Sequence, residues 1–185
     1  MSASANPTTV LDELRSGSRD SLDRLVPSLY EELRVIAHRR IARGPNGTLE
    51  TTGLVHEAYL KLVGQSVLGL RDRAHLLALA SLAMRHLLVD RARARGRLKR
   101  GGTSGWITFD DNLIVDADQP EALLQLDDAL SWLASLEPRL ARVVECRFFG
   151  GLSEGEIAQA LGVTERTVQR DWAKARMLLR RALES

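Results

Sequence analysis

The stretch from Ser153 to Leu179 constrains the fold more than any other part of the chain. Ser153 and Glu156 form the S-x-x-E pattern of a capping box, which marks the N-terminus of a helix. Gly162 follows one short helix later and favours a turn, and Thr164 can cap a second helix. The apolar residues of both helices recur at three- and four-residue steps, as on the inner face of a helix. The pattern therefore predicts a helix-turn-helix.

The remaining hydrophobic pattern is also helical and predicts an all-α protein, with two small helical domains joined by an acidic linker. Aromatic residues make up only 4% of the chain, so Leu, Val, Ile and Ala must build the core, which suits helix packing better than a sheet sandwich. Glycines and breaks in the helical period place the domains at residues 9–100 and 121–185 and the linker at 101–120. Among the predicted helices are 74–95, 121–136 with Trp132 on its inner face, and 139–149.

The chain offers no candidate residues for catalysis, for a metal or for a cofactor. Its single cysteine, Cys146, rules out an internal disulfide. The four histidines lack the spacing of metal ligands, and there is no glycine-rich phosphate loop, nucleophile motif or carboxylate pair. The sequence shows no pattern of a signal peptide or a membrane helix. We therefore expect a cytoplasmic binding protein and not an enzyme.

Charge is segregated along the chain. Residues 85–100 contain seven Lys or Arg residues and a single acid, a net charge of +6. Residues 101–138 contain eight acids and no Lys or Arg, and residues 139–185 carry a net charge of +3. A basic block indicates a polyanionic partner such as DNA, and an acidic segment favours a basic protein surface. The alternative is that both segments are ordinary solvated faces.

Two sets of residues are candidates for binding DNA. Both consist of side-chain types that reach phosphates and base edges. In the basic block they are Arg85, Arg91, Arg93, Arg95 and Arg97. On the second helix of the helix-turn-helix they are Glu165, Arg166, Thr167, Gln169, Arg170 and Lys174. The alternative for the second set is a plain helical hairpin with a solvated outer face.

Three motifs together resemble a known family, the extracytoplasmic-function (ECF) sigma factors of bacterial RNA polymerase. The third motif leads directly into the predicted helix-turn-helix and is the most specific. The motifs are LVHEAYLKL at 54–62, AMRHLLVDRAR at 83–93, and the stretch from LEPR at 136–139 to VVECRFFGGLS at 143–153. The resemblance covers nearly the whole chain, from about residue 9 to residue 183.

The resemblance implies a sigma factor that directs core RNA polymerase to promoter DNA and initiates transcription. The second domain would read the minus-thirty-five element, and the first would bind the polymerase clamp and melt the minus-ten element, with a flipped base held by the loop at 64–75. The basic block would lie along promoter DNA, and the acidic linker would occupy a positively charged polymerase channel. The residues implied to bind the polymerase are Glu50, Thr51, Leu54, Val55, Glu57, Ala58 and Lys61.

The segment before the first motif departs from the family pattern. Most members carry an acidic run resembling Asp-Ala-Glu-Asp, which contacts basic residues of the clamp, whereas this chain has Glu50, Thr51, Thr52 and Gly53. Phosphorylation would add about −1.5 to −2 charges at a helix N-terminus, where anions are favoured. The chain thus resembles the ECF subgroup controlled by a Ser/Thr protein kinase. We expect phosphorylation of Thr51, or else of Thr52, to license polymerase binding; the alternative is that Thr51 only caps the helix.

Two other functions stay open on the sequence. One is a free-standing helix-turn-helix regulator, which would bind DNA alone as a dimer. The other is a non-initiating protein that occupies the polymerase or an anti-sigma factor. The N-terminal helices and the acidic linker argue against the first, whereas the missing acidic run favours the second. Whether an anti-sigma factor binds to this chain is not decided by its sequence, and no membrane partner is expected.

Overall fold

The computed structural model describes residues 31, 53, 55–58, 73–98, 107–108, 114–115 and 120–184. Apart from two short strands and the turns between elements, these residues are helical, which confirms the predicted all-α fold class. The main helices are α1 (Arg73–Leu98), α2 (Pro120–Leu136), α3 (Pro138–Val144), α4 (Glu154–Leu161) and α5 (Glu165–Leu183).

The strands β1 (Ile107–Thr108) and β2 (Ile114–Val115) lie within the predicted linker and pair antiparallel. Ile107 is opposite Val115, and Thr108 is opposite Ile114. A ladder of this length is marginal by itself. The division of the chain into 9–100, 101–120 and 121–185 stays a prediction, because most of the linker lies outside the described residues.

The caps and the turn predicted around α4 are confirmed. The Ser153 hydroxyl accepts a hydrogen bond from the backbone N–H of Glu156, and the Glu156 carboxylate accepts one from the backbone N–H of Ser153. Gly162 ends α4 in the left-handed region, with φ of +67°. Thr164 then caps α5 by accepting a hydrogen bond from the backbone N–H of Thr167. Ser153, Gly162 and Thr164 thus satisfy backbone N–H or C=O groups that have no hydrogen-bond partner within the helix at its ends.

The helix predicted over residues 139–149 has two parts. It is α-helical up to Val144 and continues as one turn of π-helix, Glu145–Phe149, called the π-turn below. The backbone N–H of Gly150 donates to the carbonyl of Glu145 at 3.2 Å, which closes this wider turn. Such turns are rare and occur mostly as single turns, often at functional sites.

Helix α1 is buried over most of its circumference. Residues 74–89 include a fully buried Met84 and only one exposed side chain, His86. A helix that is apolar on all sides belongs in the interior of a protein. The helix continues past Gly96 to Leu98, beyond the predicted end at residue 95, because a single glycine costs a helix only about 1 kcal/mol.

One apolar cluster connects α1 with the C-terminal helices. Its fully buried members include Met84 of α1, Leu126 and Leu130 of α2, Phe149 of the π-turn and Leu179 of α5. Helix α1 packs on α2, on the π-turn and on α4. The described parts of the two predicted domains therefore share a core.

The prediction that Trp132 lies on the inner face of α2 is wrong. Its side chain is 42% exposed, and Leu136 one turn later is 55% exposed. Leu126, Leu130 and Leu133 are fully buried and form the core face of this helix. Trp132 follows Leu130 by two residues, a rotation of about 200° around a helix with 3.6 residues per turn. It therefore lies on the outer face.

Candidate nucleic-acid and polymerase interface

Arg85, the first residue of the predicted basic block, is buried between α1 and the C-terminal helices. Its Nε donates to Oδ1 of Asp127 at 2.8 Å, and its Nη1 donates to Oε1 of Glu145 at 2.6 Å. Its Nη2 donates to the carbonyl oxygen of Asp127 at 3.0 Å and to Oγ of Ser131 at 2.9 Å. The side chain is only 8% exposed. In this structure Arg85 is thus not on a surface that DNA could reach, contrary to the placement predicted for it.

Two further arginines contact the carboxylates that bind Arg85. Nη2 of Arg93 lies 3.2 Å from Oδ2 of Asp127, and Nη1 of Arg142 lies 3.2 Å from Oε2 of Glu145. Burying charges is costly unless they are paired and hydrogen-bonded. Here each carboxylate contacts two arginines, and Arg85 uses four of its N–H groups, so the cluster satisfies that condition.

The residues predicted from the sequence do not include Asp127, Ser131 or Glu145, the partners of Arg85. A weak signal for two of them exists. Asp127 follows Leu126 on the core side of its helix, and Glu145 stands between Val144 and Cys146 in an apolar run. A buried carboxylate on an apolar helix face needs a cation to pair with, but the sequence alone does not identify that cation.

The other arginines of the basic block lie towards the C-terminal end of α1. Arg91 lies 3.8 Å from the Glu57 carboxylate, and a Cβ placed on Gly53 would lie 3.4 Å from its Nη2. Arg93 is 54% exposed in its side chain, and Arg95 is exposed. Arg97 lies in the last turn of α1, and its side chain is outside the described residues. Unlike Arg85, Arg93 and Arg95 reach the surface, although Arg93 is also paired with Asp127.

The predicted polymerase-binding residues are described only in part. Val55 and Ala58 are fully buried, whereas Glu57 and Gly53 are exposed. The side chains of Val55 and Ala58 therefore pack inside the protein, and Glu57 is the member of the set that is described and exposed. The remaining predicted residues of this segment lie outside the described residues, namely Glu50, Thr51, Thr52, Leu54 and Lys61.

The first half of α5 presents the predicted DNA-binding residues together. Thr167 is half-buried, and the others are exposed, namely Glu165, Arg166, Gln169, Arg170 and Lys174. The side chains of Arg166 and Arg170 have no hydrogen-bond or ion-pair partner among the described residues. Residues four apart are neighbours on one helix face. Two free guanidinium groups are thus placed side by side at the surface.

Two other candidates on α5 are held by acids of the same domain. Nε2 of Gln169 donates to Oε2 of Glu154 at 2.6 Å, and Nζ of Lys174 is paired with Oε1 of Glu137. The hydrogen bond from Gln169, assisted by Arg147, lowers the pKa of the Glu154 carboxyl below its usual range. Glu154 is therefore ionised at neutral pH and fixes the orientation of the Gln169 amide.

The inner face of α5 is anchored by Trp172 and Asp171, which are both buried. The guanidinium of Arg147 lies 4.6 Å from the centre of the Trp172 ring, within cation–π distance. Nε of Arg139 donates to Oδ2 of Asp171 at 2.6 Å, and this bond raises the pKa of Arg139. These contacts fix α5 against α3 and the π-turn, so its outer face is presented on a rigid support.

The described residues also bear on the prediction that Cys146 is a core residue. Burial raises the pKa of the Cys146 thiol to about 12, so this cysteine is a protonated core residue. No group of His, Cys, Asp or Glu within the described part of the chain is arranged to hold a metal ion. No described helix combines the length and apolarity that a bilayer crossing requires.

Comparison with known proteins defines the class. The family model of the ECF sigma factors matches residues 4–185. The search of curated proteins found no match. Because the family model covers nearly the whole chain, the protein belongs to the ECF sigma factor family. It is an alternative sigma factor for transcription initiation, with core RNA polymerase and promoter DNA as its partners.

Proposed function

We propose that α4 and α5 read the minus-thirty-five promoter element, while the N-terminal helices bind core polymerase and open the minus-ten element. The observation that carries the first part is the exposed pair Arg166 and Arg170 on α5. Arginine can contact guanine O6 and N7 with two hydrogen bonds in the major groove, and it also binds phosphates. The contacts of Arg147 with the Trp172 ring and of Arg139 with Asp171, which hold α5 in place, support such a reading, because a contact to a base edge requires a fixed helix.

A double variant tests this assignment. We compare Arg166→Gln/Arg170→Gln with Arg180→Gln/Arg181→Gln, which removes the same charge from the far end of the same helix. Each lost contact to a base is worth about 1–3 kcal/mol, so we expect promoter-directed transcription to fall at least about tenfold in the first variant only. Binding to core polymerase should be unchanged in both.

The promoter is found first, by selecting fragments from a random DNA library with wild-type protein and core polymerase. Transcription from those fragments is then measured for each variant. If the first variant transcribes as well as its control, α5 does not read DNA through these arginines. If the wild-type holoenzyme selects no fragments, but the protein alone selects palindromic ones, the free-standing regulator replaces the sigma factor. Binding to core polymerase without transcription favours the non-initiating protein.

We further propose that phosphorylation of Thr51 activates polymerase binding. The support lies in the sequence, since Glu50 is followed by Thr51 and Thr52 where most of the family carries acids. The residues that come next are helical, at 53 and 55–58, and the Gly53 position is exposed. A phosphate near the N-terminus of a helix is favoured by the helix dipole. Two missing charge-assisted contacts, at about 1.5–3 kcal/mol each before screening, are enough to make the unmodified protein a weak binder.

The test compares Thr51→Glu and Thr51→Ala with Thr48→Glu, which adds a charge three residues earlier. Affinity for core polymerase is measured for the unmodified proteins and for protein isolated from its host, whose phosphorylation is mapped by mass spectrometry. We expect tight binding by Thr51→Glu and by host protein phosphorylated at Thr51, and weak binding by the others. Equal binding by Thr51→Glu and Thr51→Ala contradicts the switch. Activation by Thr52→Glu alone assigns it to Thr52.

A further inference from the structure

We propose that the cluster of Arg85, Arg93, Asp127, Ser131 and Glu145 is a latch that holds this sigma factor in a closed, promoter-incompatible form. The inference deepens the proposed function and rests on it, because it names a regulation of the same DNA-binding elements. The latch joins parts of the chain that are far apart in sequence, 42 residues from Arg85 to Asp127 and 60 residues to Glu145.

The contact between α1 and the C-terminal helices extends well beyond the latch. At the start of α1, Nη1 of Arg73 lies 3.3 Å from Oε1 of Glu156 on α4. In the middle, Ser81 faces Gly150 so closely that a Cβ on the glycine would lie 1.9 Å from the serine Oγ. Arg93 contacts Asp127 two turns after Arg85. From residue 73 to residue 93 the helix is docked over about 30 Å, at 1.5 Å per residue.

This docking conflicts with the geometry of a promoter. The minus-ten and minus-thirty-five elements are centred about 25 base pairs apart, which corresponds to about 85 Å of DNA at 3.4 Å per base pair. Helix α1 carries the predicted contacts near the minus-ten element, and α5 carries those for the other element. In the closed form both pack into one core. The two elements cannot be bound together until α1 leaves the C-terminal helices.

The latch also occupies a predicted DNA contact directly. Arg85 is buried, with four of its N–H groups bonded to α2 and the π-turn, and Arg93 shares the Asp127 carboxylate. A carboxylate presents to a guanidinium the same pair of oxygens that a phosphate does. Asp127 and Glu145 therefore stand in for the DNA backbone in the closed form, and opening returns both arginines to the basic block.

Spin labels report the separation between α1 and α5. They are attached to cysteines that replace two exposed alanines, Ala94→Cys on α1 and Ala173→Cys on α5. The native Cys146 is 1% exposed and does not compete for the label. We expect one short distance in the free protein and a much longer one in the complex with core polymerase, measured in the Thr51→Glu background so that binding occurs. A long distance in the free protein, or a short one in the complex, overturns the proposal.

Two matched variants test the residues of the latch. Asp127→Asn keeps the shape of the side chain but removes the charge that Arg85 and Arg93 share, whereas Asp128→Asn makes the same change at the next, exposed residue. We expect Asp127→Asn alone to populate the long distance in the free protein. If the open form is about one tenth of the wild-type molecules, releasing the latch raises the apparent affinity for core polymerase by up to about tenfold.

The outcomes separate the latch from the function on which it rests. If Asp127→Asn is folded by circular dichroism and behaves as Asp128→Asn does, the latch is wrong. If Asp127→Asn does not fold, the wild-type distances with and without polymerase decide the question alone. If the free-state distances respond as expected but no variant binds core polymerase, the proposed function fails while the closed contact is supported.

Discussion

Helix α1 approaches the π-turn closely at Gly150, and this contact gives a sharp prediction. A Cβ at this position would lie 1.9 Å from Ser81 Oγ, 2.5 Å from Leu152 Cδ1 and 2.7 Å from the carbonyl oxygen of Cys146. The backbone itself would accept alanine, because φ is −89°. Any cost of Gly150→Ala is therefore steric. The part of the cost that depends on Ser81 measures how tightly α1 is seated on the π-turn, whereas Leu152 and Cys146 belong to the π-turn segment itself.

Adding a methyl group to a packed core costs about 1–3 kcal/mol, and three contacts this short place Gly150→Ala at about 3 kcal/mol. For a protein of this size each kcal/mol lowers the melting temperature by about 2–4 °C, so we expect a decrease of about 6–12 °C. Thermal and urea unfolding, followed by circular dichroism, measure both quantities.

A double-mutant cycle identifies the clashing partner. Ser81→Ala removes the nearest atom but also the hydrogen bond that Ser81 donates to the carbonyl of Leu77, at a cost of about 0.5–1.5 kcal/mol in the wild type. In the Gly150→Ala background the same change relieves the clash, so we expect a coupling energy of at least about 1 kcal/mol. Gly155→Ala is the control, because its Cβ would meet only the end of the exposed Glu165 side chain.

The control should be neutral or stabilising, since alanine is favoured over glycine in a helix by about 1 kcal/mol. A Gly150→Ala protein as stable as the wild type would refute the reasoning, as would an absence of coupling to Ser81→Ala. An absence of coupling means that Ser81 of α1 does not pack on Gly150 in solution, and an unchanged stability means that all three close approaches, the one to Ser81 included, are absent. Either result would count against the latch, because the latch requires that packing.

Two further predictions concern single residues of the C-terminal helices. Ser153→Ala removes the capping box of α4 and should cost about 1 kcal/mol, lowering the melting temperature by about 2–4 °C; an unchanged melting curve would contradict the role of the cap. Cys146 should resist alkylation at pH 8 in the folded protein and react once urea unfolds it. Because folding raises the pKa of this thiol from 9.0 to about 12, its contribution to stability is full below pH 9 and is lost as the pH rises towards 12. Alkylation of Cys146 in the native state would show that the residue is not buried as described.

The local features of the fold were predictable because each depends on a few neighbouring residues. The capping box, the turn at Gly162 and the cap at Thr164 follow from short-range hydrogen bonds, and the structure confirms all of them. The π-turn was not predictable, because a helical apolar pattern does not distinguish an α-helical turn from a π-helical one. Trp132 was predicted on the inner face of α2 because tryptophan counts as apolar, as leucine does. The helix has only one core face, and Leu126, Leu130 and Leu133 occupy it.

The ion pairs of Arg85 could not be predicted from the sequence, for a different reason. Arg85 belongs to a run of basic residues, and the composition of this run is typical of a DNA-binding surface. In the structure Arg85 is buried because Asp127 and Glu145 approach its side chain. That approach depends on how whole helices pack, which the local sequence pattern does not show. The acidic segment was expected to favour a basic protein surface, and the structure shows one of its acids, Asp127, bound to basic residues of the chain itself.

The closed contact and the DNA contact respond differently to salt, and this difference shapes the behaviour of the protein. The Arg85 pairs are buried, so mobile ions screen them little. Contacts to DNA phosphates release counterions, and their affinity falls steeply as salt rises. If Arg85 and Arg93 bind DNA in the open form, as proposed, both contacts draw on the same arginines, and raising the ionic strength should shift the balance from the DNA-bound form towards the closed form. If the latch holds, core polymerase supplies the free energy that separates α1 from the C-terminal helices, and we expect the free protein to bind promoter DNA weakly despite the exposed arginine pair on α5.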